Sequence, residues 1–597
     1  MYLREVEVEN FRNLKSFKVG FHHGLNLIVG RNGTGKSNLF RAIRHALGPA
    51  SSYADMPWLV PDDRYHNGPE ATEDPIRISL TFAGLSEHER VLYFDILEFD
   101  SESPEDSLAR IHFEAPWDPD RDRFLPRRWG GSFDGDRSEV PPEVLQSIPL
   151  TFLPALRDAE SALSPGRSSR LAKLLENVSR TEPEEDHEST VVEIFKTANE
   201  DLASHPLVRE VEKRLSENAD SMAGADFVRP SIAASPPQFD RVLKGLRVLL
   251  PTNPIDELGS AGLGYNNLLF IATVLAHLRE SPEGDTPLLL IEEPEAHLHP
   301  QLVSRLGEFL SGQLGETRPP QTLVTSHSPL LASQTAPSQT SVFFASDEDS
   351  SIHCNSLRDI GMSSSEELKL RRMLDITRAT MYFARGLILV EGISEELLLP
   401  QLADLMDTDL SKNQVSVIPI CGVSFDTIAR VLGPTGLGVR VSILTDGDPA
   451  VVRGKEWKED TPQRNPSGAF AVSERTTALT AQFSEHPSIR SFNSDVTLEY
   501  DLARACRENA RTMAQVWKDL YSKSTVLGTE MIDNAATDAE AALSVWRGLC
   551  RSSTSGSKAE FAHALAHRIA ESRAGDFQVP AYIEQAVRWV LPPEEAS

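Results

Sequence analysis

Cysteine is nearly missing from this sequence. Four occur in 597 residues, Cys354, Cys421, Cys506 and Cys550, and no two stand at CxxC spacing. That scarcity excludes a disulfide framework and a zinc cluster as the basis of the fold, and leaves the thiols as buried or incidental groups. Long apolar runs are missing as well. No stretch of about eighteen uncharged apolar residues occurs, so no helix is expected to span a bilayer and no membrane partner is implied. The opening MYLREVEVENFRNLK is charged and alternating where a secretory leader would be apolar, so a cytoplasmic protein is expected. Positive charge is short: 59 Lys and Arg against 88 Asp and Glu leave a net charge of −29. A field of that sign repels phosphates and excludes a protein that coats nucleic acid by bulk electrostatics. It does not exclude one that holds cations through clustered carboxylates and meets DNA on local basic segments. Candidates for such segments are Arg121 to Arg128, Arg167 to Arg180, and Arg371, Arg372 and Arg378, each of which reads first as a solvated face.

What is present is the makeup of soluble globular domains, 40% apolar and 25% charged, in a chain too long for a single core. The opening reads as two strands, alternating through Leu3–Val8 and then apolar over Leu25–Val29, the second running into a glycine-rich loop and a helix near Lys36. A further strand is expected at Ile76–Phe82, and PLTFLPALRD from Pro149 reads as a buried strand entering a polar turn. Between Ser161 and Ser235 the period becomes helical, with Leu171, Leu174 and Leu175, then Val191, Val192, Ile194 and Phe195, around the acidic break TEPEEDHES. An α/β pattern returns at Val242 and includes strands at Leu288–Ile291 and Thr322–Val324. A last block begins near Arg385, with strands at Leu387–Val390, Val415–Ile420 and Val439–Leu444 before a largely helical end. No internal repeat is visible.

Gly30-Arg31-Asn32-Gly33-Thr34-Gly35-Lys36-Ser37 fits G-x-x-x-x-G-K-[ST] between an apolar strand and a helical pattern, the context of a P-loop. Backbone N–H groups freed by Gly30, Gly33 and Gly35 can wrap phosphates. The helix N-terminus adds positive potential, Lys36 reaches the terminal phosphates, and the Ser37 hydroxyl can bind Mg2+. The run Leu288–Ile291 ends in Glu292 and Glu293. The first can hold the Mg2+ shell, and the second can orient or deprotonate the attacking water. Thr325-Ser326-His327-Ser328 resembles the switch histidine segment of ABC-type ATPases, with His327 at the γ-phosphate. The loop Leu258–Gly264, carrying Ser260 and Gly262, resembles the ABC signature that closes over nucleotide held by a second subunit, which implies a head-to-head dimer. EEPEAHLHPQ, from Glu292, looks like the strand-end motif of SMC, RecF and OLD ATPases, and His297 and His299 within it read as structural. No clear Q-loop glutamine follows Ile76–Phe82.

In the last block an apolar strand ends in Glu391, a glycine turn follows, and Glu395 stands one helical turn on. Further along, Val441–Leu444 leads to Asp446-Gly447-Asp448, again two carboxylates at a strand end. Such a cluster repels itself unless cations neutralise it, and hard oxygen donors favour Mg2+ or Mn2+, with Ca2+ also accommodated. E-G-x-x-E followed by D-x-D resembles the TOPRIM fold of topoisomerases, primases and OLD nucleases. Behind an ATPase carrying EEPEAHLHP, the chain resembles the OLD (overcoming-lysogenization-defect) family. Ile418–Phe425, Thr497–Leu502 and Ser557–Ala562 look like segments of that family. By that resemblance Glu499 completes a metal shell and Lys558 neutralises charge at the scissile phosphate.

The expected fold is therefore α/β. An ABC/SMC-like P-loop ATPase over 1–160 and 236–384 is interrupted by a helical insert over 161–235, read as a dimerisation element with a passive packing insert as the alternative, and a TOPRIM domain with a helical extension follows over 385–597. The expected activity is ATP hydrolysis together with metal-dependent DNA cleavage, which the resemblance connects with defence against phage. The alternative is an SMC- or RecF-like DNA-repair ATPase whose TOPRIM block is non-catalytic. Four clustered carboxylates argue against it. A topoisomerase would need a further domain bearing a nucleophilic tyrosine, and none is evident, while an ABC transporter subunit would have no use for a nuclease block. OLD-like ATPases work both alone and with a helicase partner, as in the Gabija defence system, and the full C-terminal block leans towards a stand-alone enzyme.

Overall fold

The computed structural model describes the chain apart from residues 49–57, 66–73, 100–102, 104–105, 134–136, 156–168, 182–186, 224–230, 234–235, 247, 249–262, 280–286, 313–319, 347–349, 421–424, 552–557, 573–575 and 592–597. Ser260 and Gly262 of the signature-like loop thus lie outside the described residues, as does the centre of the segment Ile418–Phe425. The chain forms two compact units, one of Met1–Arg12, Gly20–Asn26 and Ser37–Ser326, the other of Asn13–Val19, Leu27–Lys36 and His327–Ser597.

In the first unit, Tyr2–Phe11, Ile76–Ala83, Leu108–Ala115 and Leu97–Glu98 lie side by side in an antiparallel sheet, with Arg127–Gly130 also pairing to Leu108–Ala115. Val6 and Val8 are buried in the core while Glu5, Glu7 and Glu9 are not, the two-residue period of a half-buried strand. Leu150–Leu153, Leu288–Glu292 and Gln321–Ser326 run parallel, in the register Leu150 to Leu288 and Ile291 to Val324. Leu288 to Ile291 are buried without a break, as in a strand covered on both faces.

The helix that starts at Lys36 and runs to Leu47 carries His45 into this core, against the rings of Phe11 and Phe113. Nearby, Asp63 is fully buried and paired with Arg12 at 2.7 Å and Arg41 at 3.5 Å. Burial, with the guanidiniums of Arg41, Arg44 and Arg12 working against Asp63, pushes His45 down to about 4. Its folded pKa lies below the unfolded value, so this contribution to stability is complete above the unfolded pKa of 6.5 and is lost as pH falls towards 4. The shift corresponds to on the order of 3 kcal/mol. His45→Leu is expected to flatten the fall of Tm across that window in a thermal melt series. Equal slopes for variant and wild type would remove His45 as the cause.

Helices occupy the stretch read as an insert: Arg170–Thr181, His187–Ser204 and Pro206–Ala223. The first packs against Phe239–Gly245 and Leu263–Arg279. His187–Ser204 buries no residue, and on Pro206–Ala223 three apolar side chains four residues apart face solvent, Leu207 at 67%, Val211 at 39% and Leu215 at 46% exposure. That spacing places them on one stripe of the helix.

In the second unit the end of Leu25–Gly30 pairs in parallel with Thr340–Ala345, which pairs antiparallel with Ile352–Ser356. Gly30 has a φ of +148°, and a Cβ there would lie 2.3 Å from the carbonyl oxygen of Phe343, so no side chain can begin the phosphate loop at this point. Further on, a four-stranded sheet orders Val415–Pro419, Gly386–Val390, Arg440–Thr445 and Ile489–Asn493, all parallel. Its core gathers Val390, Leu402, Tyr500, Trp517, Trp546 and Leu565 from the sheet and the helices over it. The helix Ala581–Val590 closes one side. Ser442 donates to the Ala586 carbonyl at 2.6 Å, Trp589 Nε1 donates to the Val441 carbonyl at 3.2 Å, and Ile583, Val587 and Val590 are buried. Among the described residues no helix is long and apolar enough to cross a membrane.

Candidate functional site

The phosphate loop folds back on its own lysine. Lys36 is 5% exposed, and its ammonium donates to the carbonyls of Gly30 and Arg31, both at 2.8 Å, and to Thr34 Oγ1 at 3.4 Å. The Thr34 hydroxyl donates to the Arg31 carbonyl at 2.8 Å, and Asn13 Nδ2 holds the Gly33 carbonyl at 2.7 Å. The loop is therefore braced at three points, with a buried cation in its centre where phosphate oxygens would be received. Asn32 and Gly33 share a cavity of about 660 Å³ with His327, whose ring lies 6.5 Å from that of Phe383.

In the first unit the Ser37 hydroxyl hydrogen-bonds the Glu292 carboxylate, so the two groups expected to share a Mg2+ shell are in direct contact. Burial pushes Glu292 above the ordinary carboxyl range, and Glu293 adds to this against the Ser37 hydrogen bond and the nearby Arg44 charge. Glu293 sits at a φ of +42°, in the left-handed region, with its N–H on the Thr325 carbonyl at 2.9 Å. An acidic residue held there is strained, as residues at functional turns commonly are. The Ser326 hydroxyl donates to Glu295 Oε1 at 2.8 Å, tying the strand before His327 to the EEPEAHLHP turn.

The C-terminal ends of the parallel sheet carry the second constellation. Glu391 follows Gly386–Val390, and Asp446 and Asp448 follow Arg440–Thr445. Glu395 lies in the first turn of Ile393–Asp404, and Glu499 in the first turn of Leu498–Ala505. These carboxylates feel one another. Burial pushes Asp446 well up, and Glu499, Glu395, Asp448 and Glu391 push it further. Burial likewise raises Glu395 to about 7, with Glu499 and Glu391 adding, and raises Asp448 with Glu391. Glu499 is the exception: burial opposes its charge, but Lys558 at 2.9 Å outweighs burial and holds it below the usual range. Gly447 lets the two aspartates turn against the neighbouring strand end, since a Cβ there would lie 2.6 Å from the Ser494 carbonyl.

Among the described residues no three His, Cys, Asp or Glu side chains stand in a geometry ready to hold an ion. Asp446, Glu391 and Glu499 are instead held by the protein. Asp446 Oδ1 accepts from the Leu498 N–H at 2.9 Å and from the Ser494 hydroxyl at 3.2 Å, the Thr445 hydroxyl donates to Glu391, and Lys558 holds Glu499. The donor set nonetheless fits a divalent cation chemically: hard oxygens gathered at strand ends, whose mutual repulsion a cation would relieve. Glu395, Asp446, Asp448 and Glu499 are the residues that would hold it, with Glu391 beside them.

Several members of this site carry no signal in sequence. Thr445 is one more apolar-strand residue until it meets Glu391. Asp501 accepts from the N–H groups of Asp495 and Val496 at 2.8 and 3.1 Å and so shapes the loop that delivers Leu498 to Asp446; burial raises it to about 6. Cys550, with its thiol 3.5 Å from Glu499 and its pKa raised by burial, and Tyr582, raised by burial and by Asp446, come from distant helices. Only the strand-end position of Thr445 could have pointed to it.

A phosphate loop with its strand-end carboxylates, and a parallel sheet whose C-terminal edge gathers five more, define an ATPase joined to a TOPRIM domain. Residues 25–333 match the family described as AAA domain, putative AbiEii toxin, Type IV TA system, and residues 382–448 match the overcoming lysogenization defect protein-like TOPRIM domain. The chain belongs to the family of that AAA domain, whose match spans just over half of it, and carries an OLD-like TOPRIM domain behind it. It is 25% identical over 522 residues to the uncharacterized protein YbjD of Escherichia coli (strain K12), covering 83% of this chain and 88% of that one. It is 26% identical over 438 residues to the OLD nuclease of Thermus scotoductus (strain ATCC 700910 / SA-01), covering 70% and 77%. To the endonuclease GajA of Bacillus cereus (strain HuB5-5) it is 24% identical over 364 residues, covering 55% of this chain and 49% of that one. Nucleotide use and divalent-metal use follow for the two domains in general terms.

Proposed function

We propose that this protein is a nucleotide-controlled DNA endonuclease that works as a homodimer in the cytoplasm, with ATP and Mg2+ at the P-loop and Mg2+ or Mn2+ at the TOPRIM carboxylates. One observation carries the reading: Glu391, Glu395, Asp446, Asp448 and Glu499 converge with Lys558 at one edge of a parallel sheet, in a chain that also holds a braced phosphate loop. Two relatives named nuclease and endonuclease support it, and a role in defence against phage accords with the resemblance to the OLD family. The cation supplies an activated water and a counter-charge for the leaving oxygen. The chain's own groups do the rest. Lys558, released from Glu499, meets the scissile phosphate; Thr445 orients Glu391 to ligate or to pass a proton; the Leu498 N–H keeps Asp446 aimed at the edge. On the ATPase side Glu293 positions the attacking water, and His327 contacts the γ-phosphate.

Supercoiled plasmid incubated with the full chain and Mg2+ or Mn2+ tests the reading by the appearance of nicked or linear product. No product with either cation would leave an SMC- or RecF-like ATPase with a non-catalytic TOPRIM block as the correct account. Dimerisation is assigned to the ATPase domains and the helical insert, supported by the solvent-facing stripe Leu207, Val211 and Leu215. Val211→Glu, in the middle of that stripe, is expected to weaken the dimer by more than roughly tenfold in sedimentation velocity, the effect of a charge at a contact centre. An unchanged dimer would move the interface elsewhere.

A further inference from the structure

The cavity that holds Asn32, Gly33 and His327 has a second wall. Across from the phosphate loop it is lined by Phe383, Arg385 and the residues Lys412–Gln414. These stand at the entry edge of the four-stranded sheet: Arg385 directly precedes Gly386–Val390, and Gln414 directly precedes Val415–Pro419. Glu391 stands at the opposite end of the first of these strands. At about 660 Å³ the cavity is in the range of small-ligand sites. Arg31, Arg385 and Lys412 line it and no carboxylate does among the described residues, so its chemistry suits a polyanion.

The loop that presents Lys412 is fixed by its backbone. Asp409 Oδ1 accepts from the Lys412 N–H at 2.9 Å, Asn413 Nδ2 donates to the Asp409 carbonyl at 2.8 Å, and Gln414 N–H donates to the Ser411 carbonyl at 2.9 Å. Arg385 N–H closes on the Gln414 carbonyl at 2.8 Å, joining this loop to the neighbouring strand. The Lys412 side chain is exposed and takes no part in these bonds, so its ammonium can move while its anchor does not.

We propose that Lys412 is a nucleotide sensor that reaches from the TOPRIM sheet to the terminal phosphate of a nucleoside triphosphate on the P-loop of the same chain. This rests on the ATP-binding reading above. With His327 at the γ-phosphate, as proposed above, the phosphate received in this cavity is the one hydrolysis removes, so the ammonium has a partner in the triphosphate state and loses it in the diphosphate state. An ammonium–phosphate contact of this kind is charge-assisted and tolerates small changes of angle, which suits a reversible latch. The nucleotide state is then felt at one end of Val415–Pro419 and of its neighbour Gly386–Val390, the strand that leads to Glu391.

The test is equilibrium binding of AMPPNP and of ADP to the full chain, with wild type, Lys412→Ala, Lys412→Arg and Lys36→Ala compared. Lys412→Ala is expected to weaken AMPPNP binding roughly tenfold, the worth of one hydrogen bond to a charged group, and to leave ADP binding unchanged. Lys412→Arg should restore most of the difference. Wild-type affinity of Lys412→Ala for AMPPNP overturns the sensor, as does an equal loss for both nucleotides. A wild type that binds neither nucleotide, or a Lys36→Ala protein that binds both normally, overturns the ATP-site reading and the sensor with it.

Discussion

Asp446→Asn is expected to abolish metal-dependent DNA cleavage while leaving ATP turnover near the wild-type rate. The asparagine oxygen can still accept from the Leu498 N–H and the Ser494 hydroxyl that hold Asp446 now, so the loop geometry survives and only the charge is lost. A direct cation ligand should cost more than the loss of an outer-shell partner, so plasmid nicking is expected to fall by more than about a hundredfold. A second readout separates this from misfolding. Asp446 is raised by burial and then by four neighbouring carboxylates, so its charge is a net load on the cation-free protein. In EDTA the variant is therefore expected to melt above wild type, and added Mn2+ should stabilise wild type more than the variant. Cleavage at the wild-type rate would mean that the nuclease lies elsewhere or belongs to a contaminant.

Lys36→Ala is expected to remove ATP binding and to lower phosphate release by about a hundred- to a thousandfold, the scale of losing one preorganised charge-stabilising group. The ammonium at present satisfies the carbonyls of Gly30 and Arg31, so the substitution also loosens the loop that Asn13 and Thr34 brace. Cleavage measured without nucleotide should be unchanged, because no TOPRIM carboxylate is touched. Calorimetric titration with ATP checks the first claim and the plasmid assay the second. Retained ATP turnover would exclude residues 30–37 as the hydrolytic site.

The strands were legible because burial on one or both faces writes itself into the order of apolar residues. Leu288–Ile291 is realised as Leu288–Glu292, Leu387–Val390 as Gly386–Val390, and Val439–Leu444 as Arg440–Thr445. Thr340–Ala345 and Ile489–Asn493 went unread, since each holds polar residues among its apolar ones and borders no glycine-rich motif. The strand-end carboxylates were legible for the same reason as their strands: a parallel sheet delivers its C-terminal ends to one edge. The groups that organise them were not. Asp501 shapes a backbone turn, Cys550 and Tyr582 arrive on later helices, and Lys412 faces the phosphate loop only because distant strands align. Such pairings depend on packing between segments far apart in the chain, which a periodic pattern does not encode.

The closing helix Ala581–Val590 bonds directly to the strand that ends in Asp446 and Asp448, through Ser442 and Trp589. A shortened gene that stopped before Ala581 would therefore strip the seal from the strand that presents the aspartates while leaving every ATPase motif intact. Its product is expected to bind nucleotide and fail to cut. Affinity tags and reporters on this protein are for the same reason better placed after the last helix than in exchange for it.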